Sequence, residues 1–222
     1  MARRRRKVTD DEVFAAAQRA MMRRGPHELR LADIAAEAGV TAGLLVQRFG
    51  GKRELLLAIS ARFADSAAPI FAGLRAAHHS PLATVRAYAA CMADLAATPE
   101  ALLRNLAYLQ IDLADAAFRG HLVESARATR REIQTLLQEA AAAAELRPDV
   151  DVRSLARTVE TVIGGALMSW ACYREGTAAE WIRRELEAVL APYLPRGRGG
   201  RPSTSARTRR ATAKRAPGRR RG

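Results

Sequence analysis

From Thr9 to Leu194 the apolar residues recur at spacings of three and four, and no stretch alternates convincingly with period two. Ala, Leu, Arg and Glu dominate, all of them good helix formers. The pattern is punctuated at Gly25-Pro26, Gly39, Gly50-Gly51, His78 to Pro81, Thr98-Pro99, Gly120, Arg147-Pro148, Gly176 and Pro192. These breaks leave no room for a sheet and predict an all-α chain of about nine helices. A length of 222 residues suits one large domain or two small ones, and 49% hydrophobic residues are ample for a core. No run of about 18 uncharged apolar residues appears, so no membrane partner is expected. No apolar secretory core follows MARRRRKVTDDE, and a cytoplasmic location is expected.

Charge is distributed unevenly. The formal charge is +14, yet Arg3, Arg4, Arg5, Arg6 and Lys7 carry +5 and the eleven cations from Arg196 to Arg221 carry +11, which leaves −2 for residues 8–195. Two cationic ends on a nearly neutral body point to an acidic partner, and double-stranded DNA fits best, with a nucleoid-associated location. The tail PRGRGGRPSTSARTRRATAKRAPGRRRG has no aromatics and is rich in Gly, Pro, Ser and Thr, so it is expected to be disordered when free. Its Arg-Gly-Arg and Gly-Arg-Pro pieces look like an interrupted AT-hook, although nonspecific backbone binding fits them better.

The residues near the amino end spell out local structure. Thr9 and Glu12 have capping-box spacing, followed by an apolar stripe of Phe14, Ala17 and Met21. A second short helix places Leu31, Ile34, Ala35 and Ala38 on one face. Gly39 follows where a left-handed residue is needed, and Thr41 caps a third helix running to Phe49. Two short helices joined by a glycine-containing three-residue turn are a helix-turn-helix signature. Leu45 and Phe49 should pack inward with Val40. The outward side then shows Ala42, Gly43, Leu44, Val46, Gln47 and Arg48.

The run IAAEAGVTAGLLVQRFGGKREL, Ile34 to Leu55, resembles the DNA-binding domain of the TetR family of transcriptional regulators. The shared pattern is Ile34-Ala35, Ala38-Gly39-Val40-Thr41 at the turn, Phe49 ending the recognition helix, then Lys52 and Leu55 opening a fourth helix. The resemblance implies a homodimer whose two reading heads enter successive major grooves of a pseudo-palindromic operator. It implies base or backbone contacts by Thr41, Ala42, Gly43, Leu44, Gln47 and Arg48, and a phosphate contact by Lys52. Two positions depart from the family pattern. Val46 stands where an aromatic is usual, and Arg30 stands where a capping Thr is usual, which leaves Arg30 suited to a phosphate instead. With few polar tips, the third helix is left to read thymine methyls through Leu44 or Val46, and adenine or guanine through Gln47 and Arg48. Arg3 to Arg6 are expected beside the minor groove.

This organisation divides the chain into a basic arm (1–8), a reading head (9–63), a helical ligand-binding and dimerisation bundle (64–195) and a basic tail (196–222). In the bundle, Tyr88, Met92, Asn105, Tyr108 and Asp112 are the candidate contacts for an unknown small-molecule effector. The resemblance implies that the last two long helices pair with those of a second copy, which makes Val159, Ile163, Gly164, Leu167, Trp170, Leu186 and Val189 the candidate dimer interface. Cys91 and Cys172 form no CxxC pair and have no His cluster beside them, so buried, reduced thiols are expected and no metal site or cofactor. No Ser/His/Asp order, phosphate loop or dinucleotide motif indicates catalysis. The expected function is a ligand-responsive repressor. The alternative is an architectural, weakly sequence-specific DNA-binding protein driven by its tails.

Overall fold

The structure is a computed structural model that describes residues 8–94 and 96–195. The cationic arm Arg3 to Arg6 and the tail 196–222 lie outside the described residues. Ten α-helices follow one another among the described residues: α1 Asp10–Arg23, α2 Leu31–Ala38, α3 Ala42–Phe49, α4 Lys52–Ala64, α5 Ala67–Ala77, α6 Pro81–Asp94, α7 Pro99–Ala114, α8 Ala116–Ala142, α9 Val152–Tyr173 and α10 Ala178–Leu190. A single 3₁₀ turn, Ala191–Tyr193, closes the series. The fold is all-α, with a helix-turn-helix unit ahead of a larger helical bundle. Among the described residues no single helix is long and apolar enough to cross a membrane.

The count is ten rather than nine because of one additional break, and a second break is displaced. Residues 52 to 77 form two helices bent by 43° at Asp65-Ser66, where neither Gly nor Pro marks the corner. The break expected at Gly120 falls at Asp115 instead, and α8 runs straight through Gly120. A solvent-facing glycine costs a helix only about 1 kcal/mol. Asp115, in contrast, both ends α7 and caps α8, its carboxylate accepting the Ala117 amide at 2.9 Å.

Local caps form where the spacing placed them. Thr9 and Glu12 make both bonds of the capping box, 2.9 Å from the Thr9 amide to the carboxylate and 3.2 Å from the Glu12 amide to the hydroxyl. Gly39 has φ of 67°, and the amides of Gly39 and Val40 return to the carbonyls of Ala36 and Ala35. This pairing, a Schellman motif, sets the angle between α2 and α3. Arg30 provides no side-chain cap for α2, but its amide donates to the Asp33 carboxylate at 2.8 Å.

Two hydrophobic clusters result. One joins α5, α6, α8, α9 and α10 around Phe71, Ile133, Leu137, Val159, Trp170 and Leu186. The other lies under α1 to α4, around Val13, Ile34, Leu45 and Leu55, and it also takes in Phe118 from the start of α8. Tyr108 and Ile111 of α7 pack against it. Polar contacts reinforce this junction. Arg53 of α4 donates to Asp115 at 2.6 Å and lies over the Phe118 ring, 5.6 Å from its centroid. The hydrogen bond from Arg53 is the main reason the Asp115 carboxyl sits below the usual carboxylate range, with the Ala117 amide adding to it. Tyr108 donates its hydroxyl to the Arg24 carbonyl at 3.0 Å.

The expected dimer residues divide in two. Val159, Ile163, Trp170 and Leu186 are 0%, 5%, 5% and 1% exposed and belong to this chain's own core, not to an interface. The wide apolar stripe of α9 is covered by α10, α8 and α6, and Trp170 anchors it by donating to the Gly176 carbonyl at 3.2 Å. Leu167 and Val189 are half-buried against the same cluster, whereas Gly164 faces outward. Cys172 is exposed on α9 and Cys91 is half-buried, so the expectation of two buried thiols is corrected.

Candidate nucleic-acid interface

The eight-residue helix α3 is held by three devices. Thr41 caps it, its hydroxyl accepting the Leu44 amide at 3.2 Å. Leu45, fully buried, pins it to the head's core, with Phe49 and Val40 packed alongside. Phe49 meets Phe14 of α1 at a ring distance of 5.8 Å. Steps of about 100° per residue then put Gln47 and Gly43 opposite the buried side, with Leu44 and Val46 on either shoulder. Leu44 is 41% exposed and Val46 49% exposed, and Gly43 and Gln47 are also exposed. Ala42 is half-buried against the core, so it belongs to the helix's footing and not to its outer surface.

Two of the expected contact residues turn back into the protein. Arg48 donates to the Val8 carbonyl at 2.7 Å, pairs with Asp10 and lies over the Phe49 ring at 5.6 Å. It clamps the start of α1, where the basic arm departs. Lys52 donates to the Pro26 carbonyl at 2.7 Å. A cation in the first turn of a helix opposes the helix dipole, and that carbonyl offsets the opposition. Arg30 is exposed beside the turn, as is Thr41.

Gly43 is informative because nothing among the described residues requires it. Beyond its own stretch of helix, no described residue comes within 4 Å of where a Cβ would stand, and its backbone is ordinary helix. The side chain is missing from a helix position where Ala would be worth about 1 kcal/mol more. We expect Gly43→Ala to raise stability by about 0.5–1 kcal/mol in urea unfolding and yet to weaken DNA binding. A variant that gains stability and keeps full affinity would show that no partner approaches the backbone there.

The expected effector residues lie on α6 and α7. Tyr88 stacks on Phe71 at 4.6 Å, and burial raises its hydroxyl pKa. Met92 packs on the same core, and Asn105 lies on the exposed side of α7. Asp112 is half-buried, and burial pushes its carboxyl up. Tyr108 reaches the Arg24 carbonyl with its hydroxyl, and burial pushes that hydroxyl up to about 12. Two hollows of about 250 and 350 Å³ lie in the head, the first lined by Phe14, Gln18, Ile59 and Phe63, the second by Val8, Glu12, Arg19 and Glu37. Neither includes a residue of the expected effector set. Among the described residues no group of three His, Cys, Asp or Glu side chains is placed to hold a metal ion.

A capped turn, a short helix with an outward polar-apolar surface and an attached helical bundle define the helix-turn-helix class of regulators. Residues 13–59 match the sequence model of bacterial regulatory proteins of the tetR family, and residues 82–186 match the tetracyclin repressor-like C-terminal domain. The chain belongs to the TetR family of transcriptional regulators. Among solved structures it is similar to a TetR transcription regulator from Haloarcula marismortui, with 19% identity over 84% of this chain and 98% of that one and a TM-score of 0.64. It is also similar to SmeT, the repressor of a Stenotrophomonas maltophilia multidrug efflux pump, with 22% identity over 86% and 93% of the two chains and a TM-score of 0.62. SmeT in complex with triclosan gives a TM-score of 0.61 at 22% identity, covering 86% and 94%. These likenesses concern the fold. No curated protein matches the chain.

Proposed function

We propose that this chain is a ligand-responsive repressor that binds a pseudo-palindromic operator as a homodimer. The observation that carries the reading is the outward surface of α3: Gly43, Leu44, Val46 and Gln47 stand clear of the core on a helix that Thr41 and Leu45 hold rigidly. Residues 9–63 act as the reading head and 64–195 as the regulatory bundle, with Arg3 to Arg6 and the tail gripping phosphates. Arg30, exposed beside the turn, serves the same backbone.

The two-fold contact is assigned to the outer face of α9. Gly164 and Gly165 are exposed there, with no described residue beyond their own stretch of helix within 4 Å of a would-be Cβ, and Met168 beside them is 46% exposed. Small residues allow the backbone of a second copy to come close. The effector is an apolar small molecule received by the bundle near Tyr88, Met92 and Asp112, a reading supported by the likeness to SmeT, which has been solved with triclosan. It acts by binding one spacing of the heads better than another. The reading assigns the chain no catalytic step and places it with the DNA, in the cytoplasm.

The test is selection of duplexes by the full-length protein from a randomised pool, followed by affinity measurement and light scattering of the complex. A regulator should recover an inverted repeat, bind it at least about 10³-fold more tightly than random duplex at equal salt, and form a dimeric complex. Uniform affinity for all duplexes would instead favour an architectural protein driven by its ends.

A further inference from the structure

We infer that the operator half-site under α3 is built of A·T pairs, read through thymine methyls by Leu44 and Val46 and through adenine by Gln47, with no guanine reader on this helix. The inference rests on the operator-binding reading above and names the chemistry of its partner.

Arginine to guanine is the commonest specific contact in the major groove. Arg48 is the cation of α3, and its guanidinium is already committed. One nitrogen donates to the Val8 carbonyl, another pairs with Asp10, and the group lies over Phe49. Its side chain is 29% exposed, against 53% for Arg53 and 58% for Arg23. Reaching a guanine would break all three contacts and release the start of α1. Thr41 stands ahead of the helix with its hydroxyl accepting the Leu44 amide, and Gly43 has no side chain. The side chains of α3 left for base edges are Leu44, Val46 and Gln47.

Their chemistry selects one kind of pair. Both kinds of pair present two acceptors and a donor in the major groove, and the C5-methyl of thymine is the apolar feature that only an A·T pair adds. Leu44 or Val46 pressed on a G·C edge would strip polar atoms of water, return no hydrogen bond and find no methyl group to offset that cost. On an A·T pair the same side chains bury a methyl group. Gln47 stands at the crown of the helix, with the two apolar residues roughly 60° and 100° to either side by helical geometry. An amide there is suited to donate to N7 and accept from the N6 amino group of adenine. Apolar, amide, apolar across one helix face is the pattern a run of A·T pairs complements.

Replacing thymine by uracil removes the C5-methyl and nothing else. The duplex selected by the full-length chain is therefore remade with uracil at each thymine beneath α3. Wild-type protein should lose about fourfold in affinity per methyl removed, the value of one buried carbon. Leu44→Ala and Val46→Ala, both at exposed positions, should each bind the thymine and uracil forms of their own position equally. Arg48→Ala should select the same bases as wild type. Selected G·C pairs at those positions, equal wild-type affinity for thymine and uracil, or a base preference that shifts with Arg48→Ala would overturn the inference and leave the operator reading standing. Failure to enrich any sequence would remove the operator reading and the inference with it.

Discussion

Phe118→Ala is expected to lower the unfolding free energy by about 3–5 kcal/mol and to loosen α1 to α4 before the rest of the chain. Phe118 is 4% exposed and belongs to the head's core although it is 54 residues beyond the end of α4 at Ala64. Removing its ring opens a cavity beneath α4, and it also takes away the surface on which Arg53 rests. The neighbouring ion pair does not compensate, because exposed pairs of this kind are worth about 0–1 kcal/mol. Urea unfolding gives the magnitude, and amide exchange gives the location. Phe71→Ala is the matched control: Phe71 is 1% exposed in the other cluster, so its loss should loosen α5, α6 and α8 instead. A loss below about 1 kcal/mol for Phe118→Ala would mean the head does not depend on α8.

Removing both cationic ends is expected to cost about 100-fold or more in DNA affinity at about 50 mM salt. The segment 8–195 carries −2, so what remains meets the duplex without net attraction. The arm has five cations and the tail eleven. Each phosphate they neutralise adds about 0.9 to the slope of log affinity against log salt. Truncating 196–222 alone, then 1–7 alone, separates the two contributions. The base preference should survive both truncations, because phosphate contacts position a protein and base contacts specify. A slope unchanged by either deletion would show that the ends do not touch DNA.

Features governed within four residues were legible in the sequence. Thr9 with Glu12, Gly39 in its left-handed conformation and Thr41 before α3 form as their spacing requires, because a cap is a bond between near neighbours. Asp115 was missed although its signal was available, an Asp ahead of a helical run; Gly120 looked like the stronger break and was not one. Arg53 carried no signal at all, since its partners lie some 60 residues away, at Asp115 and Phe118.

What the sequence determined by itself was the class of the fold, the helix-turn-helix at its amino end and the placement of its charge, all consequences of periodicity, caps and composition. Tertiary structure decided who covers each apolar stripe and where each long cation points. Val159, Ile163, Trp170 and Leu186 have the pattern of an interface and lie in a core, because α6, α8 and α10 reach them first. Arg48 has the position of a base reader and instead holds Asp10 and the Val8 carbonyl. The physical reason is the same in both cases: helical spacing specifies which face a side chain leaves from, while the neighbour it meets depends on segments far along the chain.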